Sequence, residues 1–302
     1  MSSSCFHPSI RARVPDLPSG KKLRPEARPP QHLRLSCAVG VRRIPLQHRA
    51  EKKVRPMAAA ATPFSSDSSI EMREESDFQV LLSPDGYISV CGFGSLLSER
   101  SARSTFPDLI NFRMGKLHGF RRIFCHVAPI FFDRGIAKEE TGEISSLSVE
   151  PCQRETLVIT VFDIKISEVP SFIEREHEFR FLAVVPEEMN GEPFTRPAVL
   201  CARYSDEEYF HVRCKGSKEI FFQRYGRLNI QKIWRDDILP CRVYLRHCVL
   251  AAKNLGEAAY ENFLDHTFLA DRKTTIRQYL YTTGSGIMEE EPPEALKSRY
   301  GG

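Results

Sequence analysis

The feature that most limits how this chain can fold is a nearly continuous apolar run at residues 156–164. The run reads Thr-Leu-Val-Ile-Thr-Val-Phe-Asp-Ile and is rich in β-branched residues. A strand that is apolar on both faces is usually buried on both faces. We therefore expect a buried central strand here. Further strand-like segments lie at residues 87–91, 115–127, 179–185 and 198–204.

Helical patterns dominate the second half of the chain. Ser205 and Glu208 have the spacing of a capping box, which predicts a helix start. Further helices are predicted at residues 241–255, 260–269 and 274–281. Strands that come first, followed mostly by helices, indicate an α+β domain built on a mixed sheet or small β-barrel with flanking helices.

The N-terminal region differs in composition from the rest of the chain. Residues 1–64 contain 13 Lys and Arg residues but only three acidic residues, and they are rich in Ser and Pro. This composition, without a long apolar core, is typical of an organellar transit peptide. We expect a disordered transit-peptide-like segment at residues 1–75 and import into a chloroplast. Two alternatives stay open: a solvated basic arm, or translation from Met57, which would give a cytoplasmic product.

The remaining sequence predicts a folded domain at residues 76–285 and a flexible tail at residues 286–302. Because the positive charge lies in the N-terminal segment, the domain lacks the clustered Lys and Arg of a nucleic-acid-binding surface. The sequence contains no run of 18 apolar residues, so it predicts no membrane-spanning helix. The nine cysteines never form C-x-x-C, and no Cys/His cluster has metal-ligand spacing. We therefore expect no metal, no nucleic acid and no membrane partner; the oligomeric state is left open.

A glycine-rich turn follows the first predicted strand. Gly92 and Gly94 interrupt the apolar residues of that strand, and Ser95, Leu96 and Leu97 follow. Backbone amides in such a turn can bind a carboxylate or a phosphate. The spacing lacks the third glycine of a dinucleotide-binding loop, the Gly-Lys-Ser/Thr of a phosphate loop and the flanking glycines of a hydrolase nucleophile elbow. The alternative is a plain turn that binds nothing.

A candidate catalytic carboxylate lies in the charged segment after the central strand. On a helix, Phe172, Arg175, Glu176 and Phe179 would share one face, whereas Glu178 would point elsewhere. A carboxylate against aromatic rings has a raised pKa and can act as a general acid or base near neutral pH. Pairing of Glu176 with Arg175 would instead lower its pKa and make the pair structural. A helix offset by two residues would make Glu178 the working carboxylate.

Several ordered motifs resemble those of the γ-glutamylcyclotransferase superfamily, most closely its ChaC-like, glutathione-specific branch. That family has Tyr-Gly-Ser-Leu, then Gly-Tyr-x-Arg-x-Phe, Arg-Gly-Thr, Arg-Glu before Tyr, and a late Gly with Tyr-x-x-x-Leu. The matching positions here, in the same order, are Gly92 to Leu96, Gly119 to Cys125, Arg134-Gly135, Arg175-Glu176 before Phe179, and Gly256 with Tyr260 to Leu264. The likeness is to a plant member of the family.

The resemblance implies a mixed, barrel-like γ-glutamylcyclotransferase fold that needs no cofactor. It implies that Phe93, Gly94, Ser95 and Leu96 bind the α-amino and α-carboxylate groups of a γ-glutamyl substrate, with Glu176 as the catalytic acid/base. The implied reaction releases 5-oxoproline from glutathione or from another γ-glutamyl peptide or amine.

The chain departs from the family pattern at three places. The glycine usually found near the Arg-Glu pair is missing, with His177 and Glu178 in its place. Phe93 replaces the tyrosine of the first motif, and Ile136 replaces the threonine of Arg-Gly-Thr. The change at residue 136 leaves open whether glutathione itself is the substrate. The loss of the tyrosine hydroxyl leaves a second hypothesis, a catalytically silent module that binds a γ-glutamyl group or another carboxylate.

Overall fold

The computed structural model describes residues 70–301, and all structural statements concern these residues. Residues 1–69 of the predicted transit-peptide-like segment lie outside the described residues. The ordered structure begins before residue 76, because strand β1 (Ile70–Met72) pairs with a later strand and buries Met72. The last residues of the predicted N-terminal segment are therefore part of the domain.

The described elements alternate between strands and helices along the chain. The other strands are β2 (Tyr87–Gly92), β3 (Ile110–Val127), β4 (Glu143–Lys165), β5 (Arg180–Val184), β6 (Ala198–Ala202), β7 (Leu239–Pro240) and β8 (Thr267–Leu269). The α-helices are α1 (Glu99–Thr105), α2 (Pro129–Asp133), α3 (Val169–Arg175), α4 (Asp206–Val212), α5 (Lys218–Tyr225), α6 (Arg242–Leu255), α7 (Glu257–Asp265), α8 (Ile276–Tyr281) and α9 (Lys297–Tyr300). Short 3-10 helices cover Glu75–Leu81, Ser95–Leu97, Ile166–Glu168, Gly226–Leu228, Ile287–Glu289 and Glu294–Leu296.

The strands form one mixed sheet in the order β1-β5-β6-β2-β4-β3-β8, with β7 paired to β4. Most pairs are antiparallel, but β2 with β6, β3 with β8 and β4 with β7 are parallel. The predicted α+β class with a mixed sheet and flanking helices is confirmed. The sheet is open rather than a closed barrel, since no pairing in residues 70–301 joins β1 to β8.

Strand β4 contains the predicted central strand and extends well beyond it. Its second half, from Leu157 to Ile164, is buried and pairs with β2 on one side and β3 on the other. Its first half was not predicted, because buried serines, Ser145, Ser146 and Ser148, take the place of an apolar pattern. Pairing with the apolar end of β3 forms this part of the strand, so tertiary contact decides it rather than local propensity.

Two predictions for the C-terminal region differ from the structure. The predicted helix at residues 260–269 ends at Asp265, and Thr267–Leu269 instead pairs with β3. The predicted flexible tail at residues 286–302 is packed: Ile287 is fully buried, and Tyr300 lies against Ala128, Phe131, Ile136 and Cys241. Two isolated apolar anchors in a polar stretch hold this segment, and such anchors produce no periodic pattern in a sequence.

The longest described helix, α6, has 14 residues and matches the predicted helix at 241–255. Its buried residues face the sheet, and it packs against α7 and the glycine-rich turn. None of the helices in the described range has the length and apolar character needed to cross a bilayer.

A fully buried arginine connects the sheet to the glycine-rich turn. Arg122 of β3 donates hydrogen bonds from Nε to the carbonyl of Phe93 (2.7 Å), from Nη1 to Oδ1 of Asn262 (3.0 Å) and from Nη2 to the carbonyl of Val158. Burial lowers the pKa of Arg122 to about 9, so the guanidinium is still charged at neutral pH. Its three oxygen partners satisfy the charge without a carboxylate.

Replacing Arg122 by Met should therefore destabilise the fold strongly. Arg122→Met removes the donor to the carbonyls of Phe93 and Val158, whereas Oδ1 of Asn262 still accepts from the amide of Val158 (2.7 Å). We expect the free energy of unfolding to fall by about 3 kcal/mol. Urea denaturation followed by circular dichroism measures this change. Arg154→Met, at an exposed arginine, is the matched control and should change the value by less than about 0.5 kcal/mol. Equal effects of the two substitutions would contradict the structural role of Arg122.

Candidate active site

One cavity of about 530 Å³ brings together every residue that the sequence predicts for the site. Its wall includes Phe93, Gly94, Ser95 and Leu96 from the turn after β2, and Glu176 from the turn after α3. These two segments lie about 80 residues apart in the sequence, and the fold brings them to the wall of one cavity. The roles of the five residues stay predictions; their shared position is a finding.

The glycine-rich turn exposes backbone amides that no other part of the described chain uses. The 3-10 helix Ser95–Leu97 closes through a bond from the amide of Leu97 to the carbonyl of Gly94 (3.0 Å). Within residues 70–301, no hydrogen bond uses the amides of Gly94, Ser95 or Leu96. Three free amides in one turn, at the wall of a cavity, can hold an anion.

Both glycines of the turn are required by close packing. A Cβ on Gly92 would lie 2.5 Å from Oγ1 of Thr160, and a Cβ on Gly94 would lie 3.0 Å from Leu147. The Thr160 hydroxyl donates to the carbonyl of Leu96 (2.9 Å), which holds the turn against β4. The position of the amides is therefore set by the sheet beneath them.

Glu176 is a desolvated carboxylate at the cavity wall. Phe172 and Phe179 line the same cavity, as the sequence predicts, and 28% of the Glu176 side chain is exposed. Burial raises the pKa of Glu176 above its usual range; the Arg175 guanidinium acts in the opposite direction without cancelling the shift. Nε of Arg175 lies 3.4 Å from Oε1 of Glu176, while its guanidinium stacks on Phe106 at 4.5 Å. The predicted competition between burial and ion pairing thus resolves in favour of burial.

The local structure around Glu176 differs from the predicted continuous helix. Helix α3 ends at Arg175, Glu176 is its C-terminal cap, and the amide of Phe179 bonds to the carbonyl of Glu176 in a tight turn. Phe179 therefore reaches the cavity through the turn and not through a helical face. The prediction that Glu178 points elsewhere is wrong, because the turn directs its side chain into the same cavity. The three-residue turn before β5 removes the helical geometry on which the prediction depended.

Glu178 is paired with a buried histidine. Its Oε2 lies 2.9 Å from Nε2 of His126, in an electrostatic contact that is not aligned for a hydrogen bond. Burial acts to raise the pKa of Glu178, but its interactions with His126, His177 and Tyr225 outweigh burial, and the pKa lies below its usual range. Two carboxylates of one turn thus have pKa values displaced in opposite directions.

His126 is a site residue that the sequence analysis missed. It pairs across the sheet with Ser146, whose hydroxyl lies 2.7 Å from Nδ1 of His126, and its ring packs on Phe179 and Trp234. Its place at the end of β3, beside the buried serines of β4, could be found only from the strand register.

Further missed residues come from distant parts of the chain. Tyr244 of α6 lines the cavity, and its hydroxyl lies 3.2 Å from the position of a Cβ on Gly94. Arg134 follows α2, and Arg299 and Tyr300 belong to α9; all three line the cavity. Arg134 belongs to a motif that the sequence analysis noted. Arg299 and Tyr300 were missed because they lie in the predicted flexible tail.

A second, larger cavity of about 820 Å³ contains none of the predicted residues. Its wall runs through residues 228–237, where Arg235 is bound to Asp237 (2.8 Å) and Asp236 to Arg272 (3.1 Å). Convergent groups with displaced pKa values are a better indicator of a functional site than volume. In the described part of the chain, no three or more His, Cys, Asp or Glu side chains are arranged to hold a metal ion.

Comparison with known proteins gives only distant structural similarity. The sequence matches no protein-family model and no curated protein. A solved structure described as a γ-glutamyl cyclotransferase is 16% identical with a TM-score of 0.32, over 51% of this chain and 89% of that chain. An uncharacterized Homo sapiens protein gives the same values, and an Arabidopsis thaliana protein is 14% identical with a TM-score of 0.30, over 49% and 97%. Similarity at this level leaves the chemistry to be argued from the cavity itself.

The opposite pKa displacements of the two carboxylates predict opposite effects on stability. Ionised Glu176, whose pKa is raised, destabilises the fold above that pKa, so Glu176→Gln should raise the free energy of unfolding at neutral pH. The gain should shrink as the pH falls through the raised pKa towards 4.5. Glu178→Gln should lower the free energy at neutral pH, and this loss should disappear as the pH falls below 4.5, through the lowered pKa. Urea denaturation across a pH series measures both, and effects of the same sign would refute the split.

Proposed function

We propose that this protein is a γ-glutamylcyclotransferase that releases 5-oxoproline from a γ-glutamyl compound. The observation that carries the proposal is one cavity with an anion-binding turn of free amides and a desolvated glutamate in its wall. The motif resemblance supplies the reaction class, and the cavity contains the groups that this reaction needs. The substrate is glutathione or another γ-glutamyl peptide or amine.

The reaction requires one proton acceptor that becomes a proton donor. The neutral α-amino nitrogen of the substrate attacks the γ-carbonyl carbon, a ring N–C bond forms, and the bond from that carbon to the leaving nitrogen breaks. Glu176 takes the proton that the attacking nitrogen loses and gives it to the leaving amine. A carboxyl group with a raised pKa suits both steps, because its basicity lies closer to neutral pH than that of an ordinary glutamate.

The turn supplies position rather than proton transfer. The amides of Gly94, Ser95 and Leu96 would bind the α-carboxylate, which holds the α-amino group beside the γ-carbonyl. Five-membered ring closure needs this folded conformer of the γ-glutamyl chain. A substrate held by its α-carboxylate loses the rotational freedom that disfavours the conformer in solution.

Phe93 lacks the hydroxyl that the resembling family has at this position, and Tyr244 brings another hydroxyl to the same turn. The Tyr244 side chain approaches Gly94 from helix α6, on the cavity side of the turn. Burial raises the pKa of Tyr244 well above its usual range, so the hydroxyl is a neutral donor at physiological pH. A hydroxyl is therefore available at the turn without a tyrosine at residue 93.

Glu178 supports the role of Glu176 through its charge, and His126 contacts Glu178. The negative charge of Glu178 raises the pKa of Glu176, and His126 opposes it. Because the pKa of Glu178 is lowered and that of Glu176 is raised, Glu176 is the better proton acceptor of the two. We propose Glu178 and His126 as positioning residues and Glu176 as the catalytic residue.

Substitution of the two glutamates tests the assignment. The full chain is incubated with glutathione and with a panel of γ-glutamyl amino acids, and 5-oxoproline is measured. Glu176→Gln should lower kcat by about 10²- to 10⁴-fold, because the proton shuttle is lost. Glu174→Gln, at an exposed position of the same helix, is the control and should keep the parent rate. Activity that survives in Glu176→Gln but is lost in Glu178→Gln would make Glu178 the working carboxylate.

A second candidate function is a catalytically silent module of the same fold that binds a γ-glutamyl group or another carboxylate. Phe93 favours it, because the family's tyrosine hydroxyl is absent from the turn. The same panel separates the two candidates. Binding of γ-glutamyl compounds by the parent protein, measured by calorimetry without release of 5-oxoproline, would select the silent module.

We also propose that the basic N-terminal segment directs the protein to a chloroplast. The excess of Lys and Arg over acidic residues, together with Ser and Pro, supports this proposal. Mass spectrometry of the N-terminus of the protein isolated from its native cells tests it. A new N-terminus after Ala58 and before the start of β1 is expected, whereas a product that begins at Met57 or Ala58 would favour the cytoplasmic alternative.

A further inference from the structure

Two arginine side chains in the cavity have no carboxylate partner. Arg134 follows α2, Arg299 belongs to α9, and both are partly buried in the wall that contains Glu176. In the part of the chain that the structure describes, neither guanidinium forms an ion pair with a carboxylate, although ion pairs are frequent elsewhere in the domain.

The acidic side chains of the cavity already have other partners. Asp133, the neighbour of Arg134, forms two bonds with Arg227, at 2.6 and 2.8 Å. Glu178 lies against His126, and Glu176 lies against Arg175. Arg134 and Arg299 are therefore the two arginines of the cavity wall whose guanidinium groups no carboxylate of the described residues contacts.

Neutral partners hold both guanidinium groups in place without neutralising them. Arg134 donates from Nη1 to the hydroxyl of Tyr300 and lies over its ring at 5.4 Å. Arg299 donates from Nη1 to the hydroxyl of Ser104 at 2.5 Å. A guanidinium has five N–H donors, so most of them stay free for a ligand. Fixed orientation and free donors are the conditions for binding a planar anion.

We propose that Arg134 and Arg299 form a second anion subsite, which binds a carboxylate on the leaving part of the substrate. This inference rests on the proposed function, since the turn amides would already hold the α-carboxylate of the γ-glutamyl group. The substrate then carries a carboxylate at each end: it is a γ-glutamyl amino acid or peptide with a free C-terminus, and not a γ-glutamyl amine. A cavity of about 530 Å³ has room for such a ligand.

The subsite depends on the C-terminal segment of the chain. Tyr300 is almost fully buried against Phe131 and Cys241, and its ring edge meets His247. This anchor fixes Arg299 beside it and supplies the hydroxyl that orients Arg134. Specificity for the leaving group is therefore set by residues at the end of the chain, far in sequence from the turn and from Glu176.

A matched pair of ligands tests the subsite. γ-Glutamyl-L-alanine has the second carboxylate, and γ-glutamyl-L-alaninamide differs from it only in having a neutral amide there. Calorimetry with the full-length Glu176→Gln variant measures binding without turnover. We expect the acid to bind about 10- to 100-fold more tightly than the amide, as for hydrogen bonds between charged groups in a partly buried site.

Substitutions of the arginines assign the preference to these residues. In the Glu176→Gln background, Arg134→Met and Arg299→Met should each lower the preference for the acid, whereas binding of the amide should change by less than about two-fold. Unchanged amide binding shows that the cavity is still folded. If Arg134→Met destabilises the fold, Arg134→Lys is the second variant, and it should retain part of the preference for the acid. Arg154→Met, at an exposed position outside the cavity, should keep the full preference.

The subsite would be overturned if the Glu176→Gln variant bound the two ligands equally. It would also be overturned if Arg154→Met lowered the preference for the acid as much as Arg134→Met does. Turnover of both ligands by the parent at equal kcat/KM would also overturn it and would leave the proposed function standing. A clear preference for the acid in binding, without 5-oxoproline release by the parent, would refute the proposed function and leave the subsite standing.

Discussion

The buried charge of Arg122 is the constraint on which the site depends. Its guanidinium joins strand β3 to the carbonyls of Phe93 and Val158 and to the side chain of Asn262. In a trans peptide the N–H points opposite to the preceding C=O, so the bond to the Phe93 carbonyl turns the amide of Gly94 away from Arg122. A charge buried in the core thus fixes the direction of the amide of Gly94, the first free amide of the turn. The position of an anion bound by the turn would therefore depend on the hydrogen bond from Arg122 to the Phe93 carbonyl.

The parts of the fold that the sequence predicts are those whose residues show their environment in their own pattern. The apolar run at 156–164 is buried on both faces, and its composition indicates this without any knowledge of its neighbours. The first half of β4 contains serines that become buried only because β3 lies beside them. The segment at residues 267–269 likewise leaves a helical pattern to pair with β3. In both cases a partner strand decides the structure, and a pattern within the segment cannot indicate it.

The same distinction applies to the site. The glycine turn and Glu176 were predictable because spacing and apolar neighbours mark them locally. Glu178 was assigned to the wrong side because the prediction extended a helix past Arg175, where the structure has a three-residue turn. His126 and Arg299 reach the cavity through strand register and through an anchored C-terminus. Neither strand register nor an anchored C-terminus produces a periodic pattern in the sequence, so His126 and Arg299 were not predictable from it.

The turn after α3 explains how two glutamates with one residue between them can have pKa values displaced in opposite directions. Glu176 faces phenylalanine rings and a guanidinium that is itself stacked on Phe106, so burial dominates its pKa. Glu178 faces His126, which Ser146 holds from the neighbouring strand, and the contacts of Glu178 with His126, His177 and Tyr225 together outweigh burial. Had the helix continued, the two side chains would point in different directions and could not influence each other within one cavity. Ending the helix at Arg175 places both carboxylates at the wall of one cavity, where the charge of Glu178 acts to raise the pKa of Glu176.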